Sequence, residues 1–170
     1  VYEKLVEVTV KHPTWNELDL GVMTTEEVVD AFVKLAPEIE TEIRHVFENV
    51  TGIVAKADYA IPWIKELKEK GYQVLVLSNF SDKVLKDCQD ALGFLECIDG
   101  GILSFQDKVI KPMPEIYELI LKRYQLVAEE CVFLDDMQQN IQAAARFGIH
   151  AILFTEQEKA VKELETLGVV

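Results

Sequence analysis

The sequence contains no apolar run long enough to cross a membrane, because a spanning helix needs roughly 18 or more consecutive apolar residues. It also has little positive charge: 17 Lys and Arg residues stand against 30 Asp and Glu residues, which gives a formal net charge of −13. Nucleic acids and anionic membranes select clustered Lys and Arg, so we expect neither as a partner. A local basic site for a small anionic substrate remains compatible with this charge.

Cysteine is scarce, and its pattern gives no sign of pairing. The three cysteines, Cys88, Cys97 and Cys131, form an odd set without CxxC spacing, and their neighbours are apolar. This usage is typical of free thiols in a reducing compartment. Since the sequence also shows no export signal, it predicts a cytoplasmic protein with three buried thiols.

The chain is long and apolar enough for one compact domain, with or without a small insert. Apolar residues make up 49% of the 170 residues, which excludes an intrinsically disordered chain. Residues 1–56 show only helical periodicity, with a capping-box pattern at Thr24 and Glu27 and with Pro37 in the first turn of the next helix. From about residue 57, helical patterns alternate with short apolar runs, which predicts an α/β fold with a doubly wound parallel sheet. The predicted strands are 73–77, 102–103, 131–134 and 149–154.

Polar residues follow the two clearest internal strands of this pattern. Ser78 and Asn79 follow the first strand, and Asp135 and Asp136 follow the strand at 131–134. Ligands bind at the carboxyl ends of such strands, so we expect these side chains at one edge of the sheet. Two adjacent carboxylates repel each other and are usually stabilised by a divalent cation or a lysine. Lys111 lies between the two segments in the sequence. Hydroxyl, amide, cation and carboxylate pair together suit phosphoryl chemistry with Mg²⁺.

Each of these segments also has a purely structural interpretation. Ser78 and Asn79 fit a strand-to-helix turn, Asp135 and Asp136 fit the N-terminal cap of the next helix, and Lys111 alone fits a solvated lysine. Their shared order and placement, rather than any one of them, favour a functional site.

Three segments in this order resemble the second, third and fourth motifs of the haloacid dehalogenase (HAD) superfamily of hydrolases. They are Leu-Ser-Asn at 77–79, Lys-Pro-Met-Pro-Glu-Ile-Tyr at 111–117, and Val-Phe-Leu-Asp-Asp at 132–136 with Asn140. The most similar subfamily contains sugar-phosphate phosphatases and the N-terminal phosphatase domain of soluble epoxide hydrolase. The resemblance implies a small helical cap over residues 1–56 and a Rossmann-like α/β core over residues 57–170.

The resemblance also implies a role for each residue at this edge. Ser78 would bind the transferring phosphoryl group with help from Asn79, and Lys111 would stabilise negative charge on the nucleophile and the phosphate. The expected substrate is a small phosphorylated metabolite, such as a sugar phosphate, hydrolysed through an aspartyl-phosphate. The residues expected to hold Mg²⁺, directly or from beside it, are Asp136, Asp135 and Asn140.

One motif of that family is missing. The family begins with a strand that ends in DxDx[TV], where the first Asp is the nucleophile and the second is the general acid and base. None of the ten Asp residues here is separated from another by one position. We therefore expect that the chain opens inside the cap, that a central strand lies outside these residues, and that they are inactive alone. Met113, where the family often has Asp, leaves the loop shape and the substrate contacts open.

Other classes of protein use similar residues. A response-regulator receiver also combines acidic residues, a Ser or Thr and a Lys on a parallel sheet, but its acidic pair comes first and its Lys last, the reverse of the order here. A non-catalytic binding or regulatory module on the HAD fold is the serious alternative, because the nucleophile motif is missing. A mutase or a dehalogenase is also compatible with this scaffold. The sequence therefore predicts a HAD-type phosphatase without naming its substrate.

Overall fold

Helices make up the first third of the chain, and strands alternate with helices after it. The computed structural model describes residues 1–48 and 50–169. Within these residues the helices are α1 (Tyr2–Val8), α2 (Thr14–Asp19), α3 (Thr25–Leu35), α4 (Glu40–Glu48), α5 (Ala60–Glu69), α6 (Asp82–Asp87), α7 (Ser104–Asp107), α8 (Pro114–Arg123), α9 (Gln138–Ala145) and α10 (Gln157–Thr166). The strands are β1 (Leu75–Ser78), β2 (Gly100–Leu103), β3 (Val132–Asp135) and β4 (His150–Leu153). Short 3-10 turns lie at Pro37–Ile39, Gln89–Ala91, Gly93–Glu96 and Ala128–Glu130.

The predicted capping box at the start of α3 is confirmed. The Thr24 hydroxyl accepts the Glu27 N–H at 3.2 Å, and the Glu27 carboxylate accepts the Thr24 N–H at 2.8 Å. Two backbone donors that the helix leaves unpaired are thereby satisfied, which stabilises a helix by about 0.5–2 kcal/mol. The capping box therefore fixes where α3 begins.

The apolar faces of α3 and α4 form the core of the helical region. Phe32 and Phe47 lie with ring centroids 5.9 Å apart, and Phe47 also contacts Trp15 at 5.7 Å. Helical spacing in the sequence predicts that Leu35 and Ala36 both face the core. Ala36 is fully buried as predicted, whereas Leu35 is 50% exposed because α3 ends there and the chain turns toward Pro37. The buried residues of this core are Leu18, Val28, Val29, Phe32, Ala36, Ile39, Ile43 and Phe47.

The strands pair in parallel, as the alternating pattern predicts. β1 pairs with β2, with Ser78 opposite Leu103, and β3 pairs with β4, with Asp135 opposite Leu153. In the described part of the chain these are two separate two-stranded sheets. The fold class is therefore confirmed as α/β with parallel strands.

The described chain divides into two compact units. Unit 1 comprises Val1–Glu66 and Gln73–Ile110, and unit 2 comprises Leu67–Tyr72 and the residues from Lys111 onward. Unit 1 thus holds the helical first third together with β1 and β2, and unit 2 holds β3 and β4. This division into compact units does not test the predicted boundary near residue 56 between a cap and a core, so that boundary stays a prediction.

Three side chains are more exposed than the sequence predicts. The apolar run predicted as a strand at 149–154 indicates a buried strand with His150 near its start. His150 is instead exposed, because β4 lies at the edge of its sheet and pairs only with β3 among the described strands. Cys88 is buried as expected, but Cys97 and Cys131 are half-buried. Partial burial, helped by nearby glutamates, raises the pKa of the Cys131 thiol, so this thiol is still a poor nucleophile. Among the described helices, none is both long and apolar enough to cross a membrane.

Candidate functional site

A buried ion pair lies at the carboxyl end of β3. Asp135 is the last residue of this strand, and Lys111 precedes α8. The Lys111 amine lies 2.6 Å from the Asp135 carboxylate, and the two side chains are only 10% and 4% exposed. The amine also lies 5.5 Å from the centre of the Phe133 ring, over its face. The peptide bond between Lys111 and Pro112 is cis. The structure thus brings Lys111 to the end of β3 across 24 positions of sequence.

The second oxygen of Asp135 is held by the start of α9. It accepts the Met137 N–H at 2.8 Å and the Asn140 side-chain amide at 2.9 Å. The carboxylate therefore receives three donors, one of them charged, which explains how it stays buried. The side-chain oxygen of Asn140 is buried and has no hydrogen-bond partner among the residues that the structure describes. An unsatisfied acceptor of this kind marks a place for a water molecule or another donor.

The side chain of Tyr117 contacts both β3 and the start of α9, the two elements that hold Asp135. Its side chain is fully buried, and its hydroxyl donates to the backbone carbonyl of Asn140 at 3.1 Å. Its ring stacks on Phe147 and meets Phe133 edge-on, with centroids 5.7 and 5.9 Å apart. Burial, and secondly the charge of Asp135, raises the pKa of Tyr117. The hydroxyl therefore stays a donor and fixes the first turn of α9.

Asp136 differs from its neighbour Asp135 in exposure. It follows the end of β3 directly, as the sequence predicts, and it is exposed. Asp135 is thus the structural carboxylate of the pair, while Asp136 offers its carboxylate to solvent. The roles predicted for these residues stay predictions.

Ser78 and Asn79 belong to unit 1, where they end β1 and begin the following loop. Both are half-buried, and the Ser78 hydroxyl makes only a long 3.4 Å contact with the Asn79 carbonyl. The next residue, Phe80, is held by its backbone N–H, which donates to the Ser104 hydroxyl at 2.8 Å. Lys111, Asp135 and Asn140 belong to unit 2. The structure therefore brings the three unit 2 residues together, and Ser78 and Asn79 lie in a separate loop.

Two polar residues of unit 1 were missed by the sequence reasoning. Ser104 is fully buried directly after β2, so the rule that placed Ser78 and Asp135 at strand ends could have found it. Asp19 ends α2, and burial raises its pKa to about 6, against a hydrogen bond with the Trp15 side chain that lowers it. No sequence pattern distinguishes this Asp from the others, because its burial depends on helices distant in the chain.

The described residues fall short of a magnesium site. Mg²⁺ takes six oxygen ligands and is usually held by one or two carboxylates with water and phosphate oxygens. Among the described residues, no three His, Cys, Asp or Glu side chains are grouped to hold a metal ion. Both oxygens of Asp135 are already engaged by Lys111, Met137 and Asn140. Asp136 is therefore the one member of the predicted metal set that presents an exposed carboxylate.

Known proteins with different names are similar to this chain over more than half of its length. The chain is 31% identical over 159 residues to acyl-CoA dehydrogenase family member 10 of Mus musculus, covering 90% of the chain and 15% of that protein. It is 26% identical over 157 residues to the sesquiterpene phosphatase astK of Aspergillus oryzae, covering 91% and 79%. It is 35% identical over 105 residues to bifunctional epoxide hydrolase 2 of Rattus norvegicus, covering 58% and 19%. The chain thus spans less than a fifth of two of these relatives and most of the third.

The fold itself is shared with solved structures of HAD family enzymes. A HAD family enzyme of Bacteroides thetaiotaomicron, crystallised as an aspartate-to-alanine mutant in complex with magnesium and inorganic phosphate, superposes with a TM-score of 0.75. The two chains are 22% identical, and the match covers 89% of this chain and 78% of the Bacteroides chain. The family model for haloacid dehalogenase-like hydrolases matches residues 8–148. The expected resemblance is confirmed, and the chain belongs to the haloacid dehalogenase-like hydrolases.

Proposed function

We propose that the complete protein is a magnesium-dependent phosphatase that acts on a small phosphate monoester, such as a sugar phosphate, in the cytoplasm. The observation that carries the proposal is the buried pair of Lys111 and Asp135 at the end of β3, beside an exposed Asp136. Burying a lysine and a carboxylate costs both groups their hydration, so a buried ion pair adds little net stability. Stability alone therefore does not explain this pair. Its place at the carboxyl end of a parallel strand supports a role in binding.

The relatives support phosphatase chemistry within the family. The Aspergillus oryzae protein that the chain covers to 79% of its length is named a sesquiterpene phosphatase. A further relative, YqeG of Bacillus subtilis, 28% identical over 142 residues, is named a probable phosphatase. Both names favour hydrolysis of a phosphate ester over dehalogenation. They leave the organic part of the substrate open.

The proposed reaction assigns one task to each residue of the site. A carboxylate supplied from outside these residues attacks phosphorus and the ester P–O bond breaks. The second Asp of the DxDx[TV] motif, acting as general acid, gives its proton to the leaving alcohol and takes one back from the water of the next step. Water then cleaves the aspartyl-phosphate to inorganic phosphate and regenerates the carboxylate. Ser78 and Asn79 bind phosphoryl oxygens, and the Lys111 amine offsets the negative charge of the phosphate. Asp135, joined to Lys111 at 2.6 Å, holds that amine in place.

The described residues do not complete a magnesium site. Asp136 is the ligand that this chain offers, and Asp135 and Asn140 support it from the same turn. When bound, the ion would shield charge on the incoming phosphate. Its other protein ligands belong to the proposed segment that also carries the nucleophile.

The test uses the protein encoded by the complete reading frame, assayed with p-nitrophenyl phosphate and Mg²⁺. We expect turnover that falls at least a hundredfold in Lys111→Met and in Asp136→Asn, since each variant removes charge that faces the phosphate or its metal. Lys86→Met is the matched control, because this lysine is 69% exposed and pairs with Asp82 in a surface ion pair. Turnover that survives both site variants, or a complete protein without DxDx[TV], would reject the proposal.

A non-catalytic binding module is the second candidate, and the missing nucleophile motif favours it. Such a module would bind a phosphorylated ligand through Ser78, Asn79 and Lys111 without breaking the ester. Calorimetry with the complete protein separates the candidates: a phosphate monoester that binds and is recovered intact, in the presence of Mg²⁺, supports the module.

A further inference from the structure

Ser104 contacts two loops at once from a fully buried position in unit 1. Its hydroxyl oxygen accepts the Phe80 N–H at 2.8 Å. The same hydroxyl lies 2.6 Å from the carbonyl oxygen of Asp19 and 3.1 Å from the carbonyl oxygen of Phe80. We name residues 19–21, from the last residue of α2 into the following turn, the cap loop. We name residues 78–80, from the last residue of β1 into the following loop, the phosphate loop after its proposed role.

The hydroxyl of Ser104 has one proton for two carbonyl oxygens. The shorter contact goes to Asp19, so the cap loop holds the proton in this structure. The carbonyl of Phe80 has a second donor, the Phe105 N–H at 3.3 Å, and does not depend on Ser104 alone. A hydroxyl that donates becomes a better acceptor, because hydrogen bonds in a chain polarise one another. Donation to Asp19 therefore strengthens the bond from the Phe80 N–H.

Two further contacts seat the cap loop on the segment that follows β2. The Lys108 amine donates to the carbonyl oxygen of Gly21. Gly21 has a φ of +60°, and a Cβ at this position would lie 2.6 Å from the Phe105 carbonyl oxygen. The backbone of the cap loop thus lies directly against residues 104–108, where only glycine fits.

We propose that Ser104 is a positioning residue that couples the cap loop to the phosphate loop. When the cap loop is seated, the Ser104 hydroxyl donates to Asp19 and holds the Phe80 N–H firmly. When the cap loop lifts, the hydroxyl turns to the Phe80 carbonyl. That contact is longer, at 3.1 Å against 2.6 Å for Asp19, so it polarises the hydroxyl less and the hold on the Phe80 N–H weakens. The meaning of this for catalysis rests on the proposed role of Ser78 and Asn79, which precede Phe80. The coupling itself concerns hydrogen bonds alone.

The test measures backbone amide exchange by NMR in the protein encoded by the complete reading frame, without phosphate or metal. Ser104→Ala removes the acceptor, so we expect the Phe80 amide to exchange at least tenfold faster. Thr9→Ala is the matched control, since the Thr9 hydroxyl is equally buried in unit 1 and donates to the Leu5 carbonyl at 2.6 Å. Phe133 in β3 reports global unfolding, and its amide should stay unchanged in both variants.

Coupling is tested by loosening the cap loop without touching Ser104 or Phe80. Lys108→Met removes the amine that holds Gly21, and Gly21→Ala forces the loop off the Phe105 carbonyl. Both variants should speed exchange of the Phe80 amide at least threefold. Neither should add to the effect of Ser104→Ala, because that substitution already removes the hydroxyl that connects the two loops.

A Phe80 amide that keeps its original exchange rate in both cap-loop variants overturns the proposal. So does a Phe80 rate that rises equally with and without the Ser104 hydroxyl, because the two loops would then act independently. Neither outcome involves turnover, so this test can fail while the phosphatase proposal holds, and the reverse.

Discussion

Lys111 and Asp135 form a buried ion pair whose attraction is offset by the hydration that both groups lose. In a buried ion pair the loss of hydration offsets most of the attraction, whereas removing one partner leaves a buried charge exposed to a poorly polar environment. Asp135 keeps two other donors, Met137 and Asn140, when its lysine is removed. Removing Lys111 should therefore lower the free energy of unfolding substantially, while the two remaining donors limit the loss.

We expect Lys111→Met to lower the free energy of unfolding by about 2–4 kcal/mol, because Asp135 stays buried without its cation. Urea unfolding followed by circular dichroism measures this change. The control is Lys86→Met, which breaks an exposed pair with Asp82 and should change stability by less than about 0.5 kcal/mol. Equal effects of the two substitutions would contradict the buried geometry.

The raised pKa of Asp19 gives a pH dependence of definite sign. In the folded chain the pKa is about 6, whereas an unfolded Asp titrates near 3.9. Between these values the folded state binds more protons than the unfolded state, so stability falls as pH rises from about 4 to about 6. Above pH 6 the carboxylate is charged in both states and the loss is complete.

Asp19→Asn should remove this loss, because the amide carries no charge and still accepts a hydrogen bond from Trp15. We expect the variant to gain about 1–2 kcal/mol over the original chain at pH 7, a discounted value because Asp19 is only half-buried, and to match it near pH 4. Thermal unfolding of both proteins between pH 4 and pH 7 gives the difference directly. Parallel curves over this range would show that the carboxyl is hydrated in the folded state.

Sequence reasoning at the residue scale succeeds where one strand end decides the placement. Asp135 and Ser78 were predicted at strand ends because each directly follows an apolar run. Lys111 was predicted as a site residue because it lies between the two polar segments in the sequence. Its contact with Asp135 depends on α8, the helix that connects Lys111 to β3. Asp19 and Ser104 could not be predicted as partners, since their contact joins residues 85 positions apart.

At the element scale, the strands form about where the apolar runs lie, but their ends depend on partners. The first run was predicted at 73–77, and β1 extends over Leu75–Ser78. Val74 lies before the strand because Asp99 binds both of its backbone groups, through its carboxylate at 2.8 Å and its N–H at 2.8 Å. The register of β1 is thus set by the segment before β2, which no local pattern in residues 73–77 reveals.

Gly101 shows how closely β2 approaches β1. It has a φ of +145°, and a Cβ built there would lie 2.0 Å from the carbonyl oxygen of Val76, a backbone atom that cannot move aside. We expect Gly101→Ala to destabilise the chain by about 2–4 kcal/mol, through both the clash and the backbone strain.

The matched control for that substitution is Gly93→Ala. In the described part of the chain, apart from the adjoining residues, no atom lies within 4 Å of the position of its Cβ, so the change should be neutral or slightly stabilising. Chemical denaturation of the two variants provides the comparison. A Gly101→Ala protein as stable as the control would mean that β1 and β2 are farther apart than this register requires.

At the scale of the whole molecule, the sequence predicted the fold class and the order of elements but not the pairing of strands. The alternating pattern is compatible with one continuous sheet, whereas the described strands form two sheets of two strands each. All four residues of β1, and Val132, Phe133 and Leu134 of β3, are only partly buried. Internal parallel strands are normally buried on both faces and paired on both edges. The partial exposure supports the proposal that a further strand belongs to the complete protein.

These 170 residues should therefore have no phosphatase activity by themselves. Hydrolysis through an aspartyl-phosphate needs a carboxylate in line with phosphorus, and here Asp135 is occupied by Lys111, Met137 and Asn140 while Asp136 is the expected metal ligand. The purified chain is assayed with p-nitrophenyl phosphate and Mg²⁺ beside its Asp136→Ala variant. We expect both to show the same background, set by traces of other phosphatases. Turnover in the unsubstituted chain that Asp136→Ala abolishes would mean that a nucleophile already lies within these residues, and the proposed division of the site would be wrong.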